Sequence, residues 1–193
     1  MSFQGKANNP LLPERALAFP VALRPFGPGD ATRVQMLAGE RTVAEATALI
    51  PHPYPDGVAE AWITAQARDR AAGREYTYAV TRAADGLLVG AIGLRPAAVS
   101  DDHLGYWIGR DHWGRGYATA AAQALIALAF SLLDLDELAA SHLARNAASG
   151  RVLEKCGLQP LRTERRDHRG LEEVFCVRAI TRAAWEQGAG ERA

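Results

Sequence analysis

The sequence predicts an α/β fold, with strands of mixed order forming a sheet and helices on both of its faces. Three observations carry this. The run Gly105-Tyr106-Trp107-Ile108 reads as a strand and breaks at Gly109, Gly114 and Gly116. It is followed by an Ala-rich stretch, 117–133, without Gly or Pro, which reads as a helix. Residues 76–82 and 87–94 flank Asp85-Gly86, a hairpin turn between two strands. Residues 159–166 and 174–180 read as a last antiparallel pair, joined by a polar loop around His168-Arg169-Gly170.

Each remaining element has its own reason. Residues 1–17 carry Asn8-Asn9-Pro10 and Pro13 and show no clear period, which reads as a loose or partner-dependent arm. Residues 19–26 alternate and form the first strand. Gly27-Pro28-Gly29-Asp30 is a turn ending in a helix N-cap, so a helix covers 31–38 and a second covers 43–49. Pro51, Pro53 and Pro55 then forbid helix and leave a stiff loop that carries His52 and Tyr54. Asp56 caps a helix over 58–72 that Gly73 terminates. Residues 99–102 turn, and 103–108 is the strand feeding the glycine loop. The 117–133 helix is about 25 Å long at ~1.5 Å per residue. Its core face is Leu125, Leu128, Ala129 and Leu132, at i, i+3, i+4 and i+7. A strand over 138–143 and a short helix over 147–156, ended by Gly157, complete the order. No repeat or linker divides the chain. One domain is expected over 18–187, with a tail at 188–193.

Composition narrows the function. The 193 residues hold 22 Lys plus Arg against 22 Asp plus Glu, with Lys only at 6 and 155. The balanced charge argues against a nucleic-acid or membrane-surface partner. No stretch of about 18 apolar residues reads as membrane-spanning. The start lacks a charged segment followed by a long apolar run, so no secretory leader is evident. Cys156 and Cys176 lie in apolar runs without metal spacing and read as buried free thiols in a reducing, cytoplasmic setting.

A strand, a glycine loop and a helix together present bare backbone N–H groups at a positive helix terminus, an arrangement that holds phosphates. Gly114 and Gly116 admit unusual φ/ψ and close approach of an anion, and Arg115 adds a cation. The Walker pattern is absent, because no Gly-Lys precedes Ser or Thr here. The dinucleotide pattern fails because Thr119 stands where its third glycine belongs. The run Trp113-Gly114-Arg115-Gly116-Tyr117-Ala118 instead resembles the Gln/Arg-x-x-Gly-x-Gly/Ala motif of the GNAT superfamily of acyl-CoA N-acyltransferases, with Trp113 in place of Gln or Arg. With Thr119 it looks like the branch containing the ribosomal-protein N-terminal acetyltransferases. The resemblance covers roughly residues 19–180.

A second motif follows about 30 residues later. Asn146-Ala147-Ala148-Ser149, then Val152-Leu153-Glu154-Lys155 and Gly157, resembles the other signature of that family. Local physics explains part of it: Asn146 is a good N-cap, Gly157 a good terminator, and Val152, Leu153 and Cys156 a core face. It does not explain Ser149.

The resemblance implies a largely antiparallel central sheet whose strand before the loop is splayed, and acetyl-CoA as acyl donor. Backbone at Trp107, Ile108 and Gly109 would pair with the pantetheine arm and supply an oxyanion donor. Arg110 and Trp113 through Thr119, which include Gly114, Arg115, Gly116, Tyr117 and Ala118, would hold the pyrophosphate. Asn146 would bond near the pantetheine arm, and Ser149 would lie near the sulfur as a proton donor to the leaving thiolate. The acceptor would be an amine, either a protein N-terminus or a small molecule, attacking directly within a ternary complex. Candidates for the base are Glu40, His52, His103 and Glu173. A non-catalytic acyl-CoA sensor on the same fold is the alternative. The oligomeric state stays open between monomer and homodimer, and no metal is expected.

Overall fold

An antiparallel meander leads the chain. A computed structural model describes residues 12–96, 100 and 102–190. β1 (Ala16–Ala18) and β2 (Val21–Arg24) come first, then α1 (Ala31–Ala38), α2 (Arg41–Glu45) and α3 (Val58–Ala71). β3 (Tyr76–Arg82), β4 (Leu88–Leu94) and β5 (Leu104–Ile108) follow, and α4 (Tyr117–Leu132) leads to β6 (Glu137–Leu143). The chain ends with α5 (Ala147–Lys155), β7 (Gln159–His168), β8 (Leu171–Thr181) and α6 (Arg182–Gly190). β1 to β5 pair in sequence order, all antiparallel, and a second sheet has the order β6-β8-β7. The expected mixed α/β architecture with a largely antiparallel sheet is what the chain adopts.

The two sheets meet at β5 and β6, which share no ladder. A tie holds them at one end: the His103 N–H donates to Ala139 O, and the Ala139 N–H donates to His103 Nδ1, both at 2.9 Å. Beyond that tie the strands part, so β5 is splayed as the motif implied.

The pleat sorts side chains between two cores. Tyr76, Tyr78, Ile92, Leu94, Leu104 and Ile108 pack with α4, which buries Ala121, Ala122, Leu125, Ile126, Ala129 and Phe130. On the opposite face Ala79 and Leu88 meet Val34, Ala38, Ala59 and Ile63 of α1 and α3. Each large side chain so buried contributes about 1.5–3 kcal/mol. The α4 stripe is thus wider than the sequence period suggested, and Leu132, expected in the core, is 38% exposed.

Other boundaries differ for physical reasons. The expected arm shrinks: Leu12 is buried, and Arg70 Nη2 donates to Leu12 O at 2.6 Å and Pro13 O at 2.9 Å. Residues 1–11 of that arm, and part of the turn expected over 99–102, lie outside the described residues. The helix expected over 43–49 is α2, ending at Glu45, and Leu49 is 83% exposed and has no face to bury. Asp30 does not cap α1 with its side chain. Its carboxylate accepts from the Gly27 N–H at 2.8 Å and takes Arg24 in two bonds of 2.7 and 2.8 Å. Asp56 likewise makes no cap bond to α3. Cys156 is buried as expected, whereas Cys176 is half-buried. α6 has no counterpart in the sequence reading. Arg182 at its start donates to Leu133 O at 2.9 Å and Leu135 O at 3.1 Å, satisfying carbonyls just past the end of α4.

Candidate active site

The glycine loop has the conformation its residues demanded. Gly114 sits at φ +72° and Gly116 at φ +78°, with nothing within 4 Å of where a Cβ would stand. Gly116 is the residue before α4, so the first α4 amides open onto the loop. A ~350 Å³ cavity lies there, lined by Ile108, His112, Trp113 through Thr119, Asn146 and Ser149. Bare, left-handed backbone at a helix N-terminus fits a pyrophosphate. Arg115 lines the cavity too, whereas Arg110 is exposed and lies outside that lining. Trp113, which stands where the motif has Gln or Arg, donates its indole N–H to Ile108 O at 2.6 Å and so ties the loop to the end of β5.

β5 presents backbone to the split. The Gly109 N–H is spent on Val89 O at 2.9 Å. Alternation in an antiparallel ladder turns the amides of Ile108 and Tyr106 the other way, off β4 and into the split. Of the expected oxyanion region, Trp107 and Gly109 therefore face β4, and Ile108 is the residue whose N–H faces the split.

α5 delivers Ser149. Asn146 Oδ1 accepts the Ser149 N–H at 3.1 Å, a true N-cap. Gly150 lets the helix lie on β6, because a Cβ there would come within 2.9 Å of the His142 ring. Across the split, the Tyr106 hydroxyl lies 2.8 Å from Ser149 Oγ and donates to Ser149 O at 3.1 Å. Burial pushes the Tyr106 phenol well above its ordinary pKa, further than the Ser149 hydrogen bond draws it down. Tyr106 is therefore a neutral donor throughout the physiological range.

A second cavity, of ~360 Å³, opens on the other side of β5. Ala46, Thr47, Tyr106, Trp107 and Ser149 line both cavities, which meet at these residues. Its other walls include Tyr54, Trp62, Phe175, Glu75, Arg95, Asp102 and Arg166. The roof at Ala46 and Thr47 is pinned by the β7–β8 turn. Arg169 donates to Ala44 O at 2.7 Å and also to Ile50 O, and the His168 ring bonds Thr47 O at 3.0 Å.

The candidate bases do not gather there. Glu40 lies outside the linings of both cavities, and its carbonyl starts α2 by accepting from the Val43 and Ala44 amides at 3.0 and 2.9 Å. His52 also lies outside them, with Nδ1 3.1 Å from Gly39 O. His103 is buried in the β5–β6 tie. Glu173 pairs with Arg145, whose hydrogen bond holds the Glu173 carboxyl below its ordinary pKa. Among the described residues, no group of acidic, His and Cys side chains is placed to hold a metal. No helix among them is long and apolar enough to cross a membrane.

Several lining residues escaped the sequence reading. Arg151 and Lys155 face the first cavity with Ala148 and Val152. Their i, i+3, i+4, i+7 spacing on α5 was a usable signal. Tyr106, Glu75, Arg95 and Arg166 had none, since only the sheet register brings them to the split.

A family model described as an acetyltransferase (GNAT) domain matches residues 21–159. The probable N-acetyltransferase YjcK of Bacillus subtilis (strain 168) is 34% identical over 86 residues, 43% of this chain and 48% of that protein. The chain spans half or less of the length of the curated relatives it matches. A GNAT-family acetyltransferase from Bacillus anthracis has a similar structure, with a TM-score of 0.76 and 19% identity over 88% of this chain and 99% of that one. The ribosomal L7/L12 alpha-N-protein acetyltransferase RimL, solved with coenzyme A, gives a TM-score of 0.78 and 12% identity over 87% and 98%. At these identities the structural likeness is one of fold.

Proposed function

The chain belongs to the GNAT acetyltransferase family, and from that premise we propose that it transfers the acetyl group of acetyl-CoA to a primary amine by direct attack in a ternary complex. The observation that carries this reading is the meeting of two cavities at Tyr106, Trp107 and Ser149. One cavity suits the acyl donor and the other the acceptor. Two reactants held across one junction gain most of what orientation offers.

In this reading the loop amides, Arg110 and Arg115 bind the pyrophosphate, and Asn146 flanks the pantetheine arm. The amine nitrogen attacks the thioester carbon, and the carbonyl oxygen takes the negative charge. The outward-facing Ile108 amide is the proposed donor to that oxygen. The C–S bond then breaks, and Ser149 Oγ gives the thiolate a proton, backed by the Tyr106 hydroxyl. The amine proton leaves by a base or water; Glu40 and His52 enter this role only through water, given where they lie. The proposed acceptors are a protein N-terminus or a small-molecule amine, and the proposed setting is the cytoplasm, as a monomer or homodimer.

Thiol release from acetyl-CoA, measured against a panel of amines and N-terminal peptides, tests the proposal. Amine-dependent release supports it. Coenzyme A binding with no amine-dependent release over the whole panel would instead mark a non-catalytic acyl-CoA sensor.

A further inference from the structure

Part of the second cavity's floor is bare backbone. Thr77, Gly93 and Gly105 stand in register across β3, β4 and β5, so two neighbouring strands carry glycine at the same level of the sheet. Over this floor lie two opposite charges. The Glu75 carboxylate sits above Gly93, where a Cβ would meet Oε1 at 2.9 Å, and the Thr77 hydroxyl holds that oxygen at 3.1 Å. The Arg95 guanidinium sits above Gly105, 3.6 Å from where a Cβ would stand.

These two charges are not spent on each other. Asp102 and Arg166, the other charged pair of the cavity, bond at 3.3 Å, and Asp102 also accepts from the Ser141 amide at 3.0 Å and from its hydroxyl. Glu75 and Arg95 form no ion pair. Among the described residues the Arg95 guanidinium has no hydrogen-bond or ion-pair partner. A half-buried guanidinium facing a cavity beside a fixed carboxylate suits a ligand that carries both charges itself. The remaining wall is aromatic, with Tyr54, Trp62, Trp107 and Phe175. A volume of ~360 Å³ lies near the small end of ligand pockets, about 300–1,000 Å³.

We infer that the second cavity takes a free amino acid with an apolar or aromatic side chain, with its carboxylate on Arg95 and its ammonium end toward Glu75. The amine-bearing carbon then lies over the bare Gly93–Gly105 floor, which leads along β5 to Tyr106. This rests on the proposed acetyl transfer for its purpose, but the binding itself can be tested separately.

The test is titration calorimetry on the coenzyme A-loaded protein with L-phenylalanine, L-phenylalaninamide, 2-phenylethylamine and 3-phenylpropanoate. The expected result is that phenylalanine binds, while the analogues lacking the carboxylate or the amine bind roughly 10- to 100-fold more weakly, the scale of a charge-assisted contact. Arg95→Gln should abolish the preference for the acid over the amide, and Arg95→Lys should keep part of it. Glu75→Gln should remove the discrimination against 3-phenylpropanoate. Amide binding equal to acid binding, an unchanged preference in Arg95→Gln, or no binding of any member would overturn the inference; the first would point to a peptide N-terminus. If the acid preference holds but no amine releases thiol, the site stands and the proposed activity falls.

Discussion

The Tyr106 hydroxyl bridges the split between the two sheets to Ser149, 2.8 Å from its Oγ and 3.1 Å from its carbonyl oxygen. The bond joins residues 43 positions apart, and it places a neutral, buried phenol behind the serine that faces both cavities. To pass a second proton toward a leaving thiolate, the Tyr106 hydroxyl would turn its one proton from the Ser149 carbonyl to Oγ.

Ser149→Ala is expected to lower kcat with little change in acetyl-CoA Kd, because a proton donated to the leaving group matters mainly in the transition state. General acids contribute about 10²–10⁴-fold. The low end is expected, because a thiol with a reference pKa of about 8.5 already leaves tolerably. Helix capping uses the Ser149 N–H, not Oγ, so the cap survives the change. Tyr106 also keeps the Ser149 carbonyl as partner, which limits the stability loss to about 1 kcal/mol. Normal kcat with a lowered melting temperature would make Ser149 architecture.

Tyr106→Phe tests the second donor. If the two hydroxyls act as a unit, the double variant Tyr106→Phe, Ser149→Ala should be little slower than Ser149→Ala alone, because coupled residues are not additive. Independent losses that multiply in kcat would sever Tyr106 from the proton path.

Gly116→Val should remove the rise in melting temperature that acetyl-CoA gives. Space is not the obstacle, since a Cβ at Gly116 meets nothing within 4 Å. The obstacle is φ +78°, which a β-branched residue adopts at a cost of about 1–3 kcal/mol. The backbone that relaxes is the backbone that faces the pyrophosphate. A folded variant with the wild-type ligand-induced shift would take the loop out of the site.

The parts legible in the sequence were the local ones. α1 over Ala31–Ala38 and β3 over Tyr76–Arg82 fall where turn residues and alternation put them. The glycine loop and the Asn146 cap are also short-range features, fixed by φ and one side-chain bond. Legibility fails where contacts are long-range. Arg169 reaches Ala44 across 125 positions, and no periodicity announces that a hairpin turn will pin the roof of two cavities. Glu40 and His52 illustrate the same limit: a titratable group on a suitable loop says nothing about where its side chain points. Glu75 and Arg95, ordinary charges flanking strands, come together over one floor only through the register of β3 with β4.

Coenzyme A binding should weaken with added salt yet persist. Arg110 and Arg115 are exposed, so their attraction is screened over a Debye length of about 8–10 Å near physiological ionic strength. Loop amides act at hydrogen-bond range and are screened far less. Calorimetry across an ionic-strength series should give a falling affinity that levels off. An affinity indifferent to salt would remove both arginines from the phosphate site.

His112 ties the phosphate site to pH. Its ring lines the first cavity, and Arg33 Nη2 donates to His112 Nε2 at 3.3 Å, which fixes Nε2 as acceptor. Burial holds the imidazole below its ordinary pKa, and Arg33, Arg115 and Arg82 lower it further against the opposing pull of Asp111. A histidine depressed in this way binds its proton more readily in the unfolded chain. Its contribution to stability is therefore complete above the unfolded value of about 6.5 and declines as pH falls through the folded value. His112→Gln should flatten the loss of melting temperature as pH falls below about 6.5, relative to wild type. Phosphates in the cavity offset the arginines and lift the His112 pKa back, so coenzyme A binding near pH 6 should take up protons in wild type and fewer in His112→Gln. Calorimetry in buffers of different ionisation enthalpy reads that uptake directly. Equal proton uptake by the two proteins would place His112 outside the field of the bound phosphates, whatever its effect on stability.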